Sequence, residues 1–231
     1  MCRACFVMAL AVLAGVVALP AVAEEPKPAA KENFDARSPI DNWKPVAEKD
    51  GWRTVQKGDV RFILDAKFGR EGTIGVGGYR TGSESTNVLY WQVKLDAGAD
   101  TLSFYAMIPE KGTGFDIITQ ADKYAGYVRV GHGAGIALKF AQDKAHVALV
   151  SPEAFQRSRW YRVELQHDFE KLQQRARVDG GAWSSWYPFM ESTQNATTAV
   201  QFYCGVTAEG DASFCMDDLA VYKLGAEGGA R

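Results

Sequence analysis

Leu89-Tyr90-Trp91-Gln92-Val93-Lys94-Leu95 alternates apolar and polar side chains with a period of two. Successive side chains of an extended strand point to opposite faces. Leu89, Trp91, Val93 and Leu95 therefore share one face, and Tyr90, Gln92 and Lys94 the other. The same period recurs on both sides of this stretch. Val60-Arg61-Phe62-Ile63-Leu64 precedes it. After it come Leu102, Phe104, Ala106 and Ile108, then Phe115 and Ile117, then Ile136, Leu138 and Phe140. Val147 and Leu149 continue the series, as do Tyr161, Val163 and Leu165, and Ala176 and Val178. Val200, Phe202, Cys204 and Val206 precede a last run at Leu219 and Val221. Breakers such as Lys111-Gly112-Thr113-Gly114, Asp179-Gly180-Gly181 and Glu209-Gly210-Asp211 separate the runs. Roughly a dozen short strands at this spacing fit a sandwich or barrel, and with so little helix they predict an all-β chain of two packed antiparallel sheets. The one helical candidate is Ser151–Arg157, which opens on a Ser-Pro-Glu cap.

The flanks read differently. Residues 1–23 have a single charge at Arg3, an apolar run from Phe6 to Leu19, and small residues at Ala21 and Ala23. That pattern predicts a signal peptide cleaved after Ala23 and a periplasmic or secreted protein. The apolar run is shorter than the ~20 residues of a spanning helix, so no membrane span is expected after cleavage. Residues 24–32 read as a flexible linker and 225–231 as a flexible tail, since neither has apolar periodicity. The mature chain carries 25 basic and 28 acidic residues, a net of −3, and no global field to attract nucleic acid. Its two cysteines, Cys204 and Cys215, flank Glu209-Gly210 symmetrically, and in an oxidising compartment they read as a cross-strand disulfide.

Arg159-Trp160-Tyr161-Arg162-Val163-Glu164-Leu165 leads through His167-Asp168 to Arg177-Val178-Asp179-Gly180-Gly181, and Met216-Asp217-Asp218-Leu219-Ala220-Val221-Tyr222 closes the series. This order resembles the concanavalin A-like lectin/glucanase superfamily, including laminin-G-like modules. There, a W-x-x-V-x-V strand and a strand ending in V-D-G precede a final D-D-hydrophobic-x-V strand. Phe34-Asp35 resembles the first strand of such domains. The resemblance spans residues 33–224 and implies a two-sheet antiparallel jelly-roll sandwich and a glycan-related role, with a partner that is a polysaccharide or glycoconjugate. It also implies a structural calcium near the terminal strands, with Asp35, Asp217 and Asp218 as ligands. Fold does not choose between lectin, hydrolase, lyase and adhesion module.

The chemistry-bearing residues narrow that choice. The paired-carboxylate strand E-x-D-x-x-E of retaining glucanases is absent. Arg162-Val163-Glu164-Leu165-Gln166 is similar to the R-x-E-L-R strand of alginate-lyase-like jelly rolls but lacks the last arginine. His132, His146 and His167 show no metal-binding spacing. A hairpin turning at Asp168–Lys171 would place Arg162 opposite Arg177 and Glu164 opposite Arg175, all on the face away from the core. Arginine forks suit the carboxylates of acidic sugars, and the alternative for such a face is a solvated charge lattice. Trp183, Trp186 and Tyr187 crowd the next segment, where aromatic faces either pack sugar rings or fill the core. The expected function is non-catalytic glycan binding. The alternatives are a polysaccharide-degrading enzyme with an unrecognised site, or an adhesion module that binds protein.

Overall fold

The computed structural model describes residues 26–224 except 47–48, 50, 58–59, 81–85, 141–145 and 207–211. The expected signal segment and tail lie outside these residues. In chain order the strands are β1 (Ala30–Glu32), β2 (Trp52–Lys57), β3 (Val60–Asp65), β4 (Gly75–Arg80), β5 (Thr86–Trp91) and β6 (Thr101–Met107). There follow β7 (Gly114–Gln120), β8 (Tyr124–Gly131), β9 (Ile136–Lys139), β10 (His146–Val150), β11 (Tyr161–Asp168) and β12 (Gln173–Val178). The last are β13 (Tyr187–Pro188), β14 (Ala199–Cys204) and β15 (Phe214–Tyr222). All pair antiparallel, in an eight-stranded sheet ordered β13-β12-β11-β6-β15-β4-β3 with β1 added on β15, and a seven-stranded sheet ordered β10-β9-β8-β7-β14-β5-β2. This is the expected two-sheet sandwich. Among the described residues, no helix is long and apolar enough to cross a membrane.

The alternating apolar positions meet between the sheets. Leu89, Trp91, Val93 and Leu95 join Leu102, Phe104, Ala106 and Ile108 in one core with Tyr161, Val163, Leu165, Phe202 and Val221. Trp52 on the edge strand β2 is fully buried, stacked on Trp91 with ring centroids 5.8 Å apart. Two buried polar groups tie the sheets together. His167 Nε2 on β11 lies 2.8 Å from Thr119 Oγ1 on β7, and Gln174 Oε1 on β12 accepts from the Tyr127 backbone N–H on β8 at 3.0 Å.

Four departures from the sequence expectation have local causes. The linker ends earlier than residue 32. Ala30–Glu32 pair with Leu219–Val221, and the Glu32 carboxylate accepts from the Phe34 N–H, the Arg37 guanidinium and Trp52 Nε1. Phe34 itself sits in the turn after β1, at φ 60°, rather than in a strand. No helix forms at Ser151–Arg157. One turn closes as Ala154 and Phe155 donate to the Ser151 carbonyl, and then the Gln156 N–H turns away to the Tyr161 hydroxyl. In β4, neighbouring rings occupy the space that side chains on its glycines would take. A Cβ on Gly77 would meet the Phe68 ring at 2.7 Å, and one on Gly78 the Phe214 ring at 2.2 Å.

The fourth departure removes the disulfide. Cys204 and Cys215 lie on strands of different sheets and are not bridged. β15 carries one extra residue against β6 between Asp217 and Ala220, with Asp218 at φ 49°. Such a bulge resets the alternation. Phe214 and Met216 before it, and Leu219 and Val221 after it, all face the main core. Cys215 therefore points the other way, into a small outer cluster with Ile63, Phe68 and Tyr79, while Cys204 points into the main core. Burial pushes the Cys215 thiol up to about 12.

Candidate functional site

Each sheet offers one polar face. On the eight-stranded sheet, Arg162, Glu164, Arg175 and Arg177 do lie on the face away from Val163, Leu165 and Ala176. Their pairing differs from the symmetric reading. Glu164 stands opposite Arg177, and Gln166 opposite Arg175. The turn occupies residues 169–172, one position later than expected, with Phe169 buried and Leu172 at φ 53°. A shift of two in the register keeps every side chain on its face but changes every partner.

Glu164 is 1% exposed. Arg177 grips it through Nε at 2.6 Å and Nη2 at 3.0 Å, the Tyr222 hydroxyl donates to Oε1, and Arg162 Nη2 stands 3.8 Å away. Burial pushes its carboxyl up, but the Arg177 and Tyr222 donors outweigh that and hold it below the usual range. This carboxylate is an internal clamp rather than a free surface charge. The segment after the hairpin folds back beside β12 as Ser184 N–H donates to the Ala176 carbonyl. Trp183 and Trp186 thereby cover the arginines, with the Arg177 guanidinium 4.5 Å from the Trp183 ring centre. Tyr187 does not join them. It packs against the core and stacks on Phe140 at 4.3 Å.

The residues expected to hold calcium are served by protein donors instead. Asp217 accepts from the Arg70 and Asp218 N–H groups and the Thr73 hydroxyl. Asp218 pairs with the Arg70 guanidinium at 2.9 Å, and Asp35 accepts from the Ile74 N–H. Calcium needs six to eight oxygen ligands, and a guanidinium already occupies this cluster, so these residues do not fit it. Among the described residues, no group of three His, Cys, Asp or Glu side chains is placed to hold a metal.

The outer face of the seven-stranded sheet carries a cleft of about 540 Å³ that sequence reading did not find. Cross-strand pairing builds it in rows. In one row Val88, Tyr203, Asp116 and Arg129 stand side by side on β5, β14, β7 and β8. In the next are Tyr90, Gln201, Ile118 and Tyr127 on the same strands. Tyr124 closes the cleft, its hydroxyl 3.4 Å from that of Tyr203. Asp116 accepts three bonds, from Tyr127 Oη at 2.6 Å and Arg129 Nε and Nη2 at 2.8 and 2.9 Å. Burial pushes its carboxyl up, and these donors more than reverse that, so it is ionised and neutralised in place. Burial, with Asp116 beside it, raises the Tyr127 hydroxyl above its ordinary range, and burial raises that of Tyr203. Both rings therefore present protonated O–H groups. His132 at the cleft edge is driven below its ordinary value, first by burial, and is neutral at pH 7. Arg53 lies over Tyr90 at 3.9 Å and Lys139 over Tyr127 at 4.3 Å, fixing two of the rings in orientation. The arrangement offers aromatic surface, hydroxyl donors and acceptors, and no net charge from the Asp116–Arg129 pair.

No protein-family model matches the chain, and comparison with curated proteins finds no match. Solved structures do match. A sialidase superposes with TM-score 0.59 at 12% identity, over 86% of this chain and 18% of its own. A GlcNAcα1-4Gal releasing endo-β-galactosidase from Clostridium perfringens superposes with TM-score 0.54 at 9% identity, over 89% of this chain and 65% of its own. The chain thus spans about a fifth of the sialidase and less than two thirds of the endo-β-galactosidase. At such identities the likeness establishes the fold alone, a two-sheet antiparallel β-sandwich.

Proposed function

We propose that this protein is an exported glycan-binding module that holds a polysaccharide or glycoconjugate on the tyrosine cleft of its seven-stranded sheet, without catalysis. The observation that carries this reading is the cleft itself, with Tyr124, Tyr127 and Tyr203 around a neutralised Asp116–Arg129 pair. Sugar rings present C–H groups to aromatic faces and hydroxyls to planar polar partners, and this cleft has both. Two structural neighbours of the same fold are named for action on glycans, which agrees with the reading. Hydrolysis by two carboxylates needs a base and an acid opposed across the bond. Among the described lining residues Asp116 is the one carboxylate, and all three of its bonds serve to orient neighbours. Export is proposed from the signal pattern at residues 1–23.

The test is a glycan array followed by titration of the best hit. Tyr203→Ala and Tyr124→Ala are each expected to weaken binding about tenfold, a loss of ~1.4 kcal/mol per ring. Unchanged affinity in both variants would move the site elsewhere. Release of reducing ends from the bound glycan would replace the binding module with an enzyme.

A further inference from the structure

Four of the arginines on the outer side of the eight-stranded sheet have a carboxylate. Arg70 pairs with Asp218, Arg159 with Asp179, and Arg162 and Arg177 with Glu164. Arg175 has none within 4.0 Å among the described residues. Its polar contact among the described residues is the bond from Nε to Gln166 Oε1 at 2.8 Å. Gln166 is buried, and its amide nitrogen is committed to the Leu224 carbonyl at 3.1 Å, so its oxygen is directed at Arg175. The guanidinium carbon lies 4.4 Å from the Trp186 ring centre and 4.8 Å from that of Trp183. The group is thus held by two indoles and one amide, while both Nη groups lack an acceptor among the described residues and are not enclosed.

Burial and the neighbouring charge of Arg177 push Arg175 below its ordinary value, and the more distant Asp100 offsets this only in part. The same cluster holds a second unsatisfied donor, since Trp183 Nε1–H is buried with no partner. Trp186 is 36% exposed beside the cation. Beside Arg175, though not lined by it, a cleft of about 290 Å³ opens at Trp186 and Gln166; of its three carboxylates, Asp100 and Asp168 are paired with Lys223 and Lys171, and Glu170 is the third. A planar guanidinium with two open Nη groups matches a carboxylate bidentately, and an adjacent indole face matches the ring that bears it.

We propose that Arg175, held between Trp183 and Trp186, binds the carboxylate of an acidic sugar, forming a second glycan site on the sheet opposite the tyrosine cleft. It does not depend on the tyrosine cleft being occupied.

The probe is polygalacturonate, titrated into the full protein beside its fully methyl-esterified form. Arg175→Gln is expected to weaken binding of the acid polymer about tenfold, and Arg175→Lys nearly as much, because an ammonium keeps the charge but loses the fork and the stacking. Trp186→Ala, at an exposed position that leaves the core untouched, is expected to weaken it about threefold. Arg159→Ala, an exposed arginine at the open end of the same hairpin, leaves binding unchanged, and esterified polymer binds the parent no better than acid polymer binds Arg175→Gln. Tyr203→Ala retains polygalacturonate binding, so failure of this site and failure of the tyrosine cleft are read separately. Equal losses in Arg159→Ala and Arg175→Gln would reduce the effect to diffuse charge and overturn the proposal. So would a parent protein that does not bind the acid polymer, or that binds both polymers alike.

Discussion

The two outer faces use the same residue types in opposite ways. On the eight-stranded sheet, the carboxylate Glu164 is sunk to 1% exposure, and its arginine and tyrosine partners close over it. On the seven-stranded sheet, Asp116 has the same kinds of partner, Arg129 and Tyr127, yet stands at the floor of an open cleft with a side chain 15% exposed. A carboxylate–arginine–tyrosine cluster is therefore not a site in itself. Cover decides: Trp183 folds back over Arg177 of the first cluster, whereas Asp116 and Tyr127 of the second line an open cleft with Lys139 over the Tyr127 ring.

That contrast orders the expected effects of mutation. Glu164→Gln leaves Arg177 facing an uncharged partner in a buried position. It is expected to cost about 3–5 kcal/mol in urea unfolding, the range for breaking a buried pair from one side. Asp116→Asn in the open cluster should cost less, about 1–2 kcal/mol. Equal costs would erase the distinction between clamp and cleft. Because the folded carboxyl of Glu164 is depressed, its contribution is present above the ordinary carboxylate range and lost as pH falls below ~4. Glu164→Gln should therefore flatten that part of the stability profile.

The tie between the sheets titrates in a different window. His167 is buried neutral, and burial lowers it from 6.5 to about 4. An unfolded histidine takes up its proton below ~6.5 while the folded one does not, so stability falls as pH drops from ~6.5 to ~4, by about 3 kcal/mol. Unfolding free energies at pH 7 and pH 4 check this, and His167→Gln should remove that share of the loss. An unchanged slope in the variant would mean that His167 does not stay neutral in the fold.

How far the two faces were legible follows from how each is built. The arginine face comes from one hairpin and the segment after it, residues 162–186, so its members stand together in the sequence. Even there, a turn displaced by one position changed which residues meet. The cleft draws on Asp116 and Ile118 of β7, Tyr124 and Tyr127 of β8 and Tyr203 of β14, and only topology sets β14 beside β7. β8 lies among them and carries Tyr127 and Arg129, but its Ala125-Gly126 start masks the alternation. The bulge at Asp218 was equally hidden, because one left-handed residue leaves no compositional mark. The core was legible because a period of two survives whatever the order of strands.

The smallest effect concerns the cysteines that the bulge separates. In denatured, unreduced protein Cys204 and Cys215 should both react with a thiol reagent, and reductant should leave the unfolding midpoint where it was. A chain with no titratable thiol would require β14 and β15 to be neighbours and would contradict the topology itself.

The most direct test of the account follows side-chain resonances of Tyr- and Trp-labelled protein during titration with a neutral oligosaccharide that it binds. The account predicts that rings of Tyr124, Tyr127 and Tyr203 shift progressively with ligand while the indole signals of Trp183 and Trp186 stay in place. Indole signals that move while these tyrosines remain still would contradict it, and would transfer glycan binding to the face of the eight-stranded sheet.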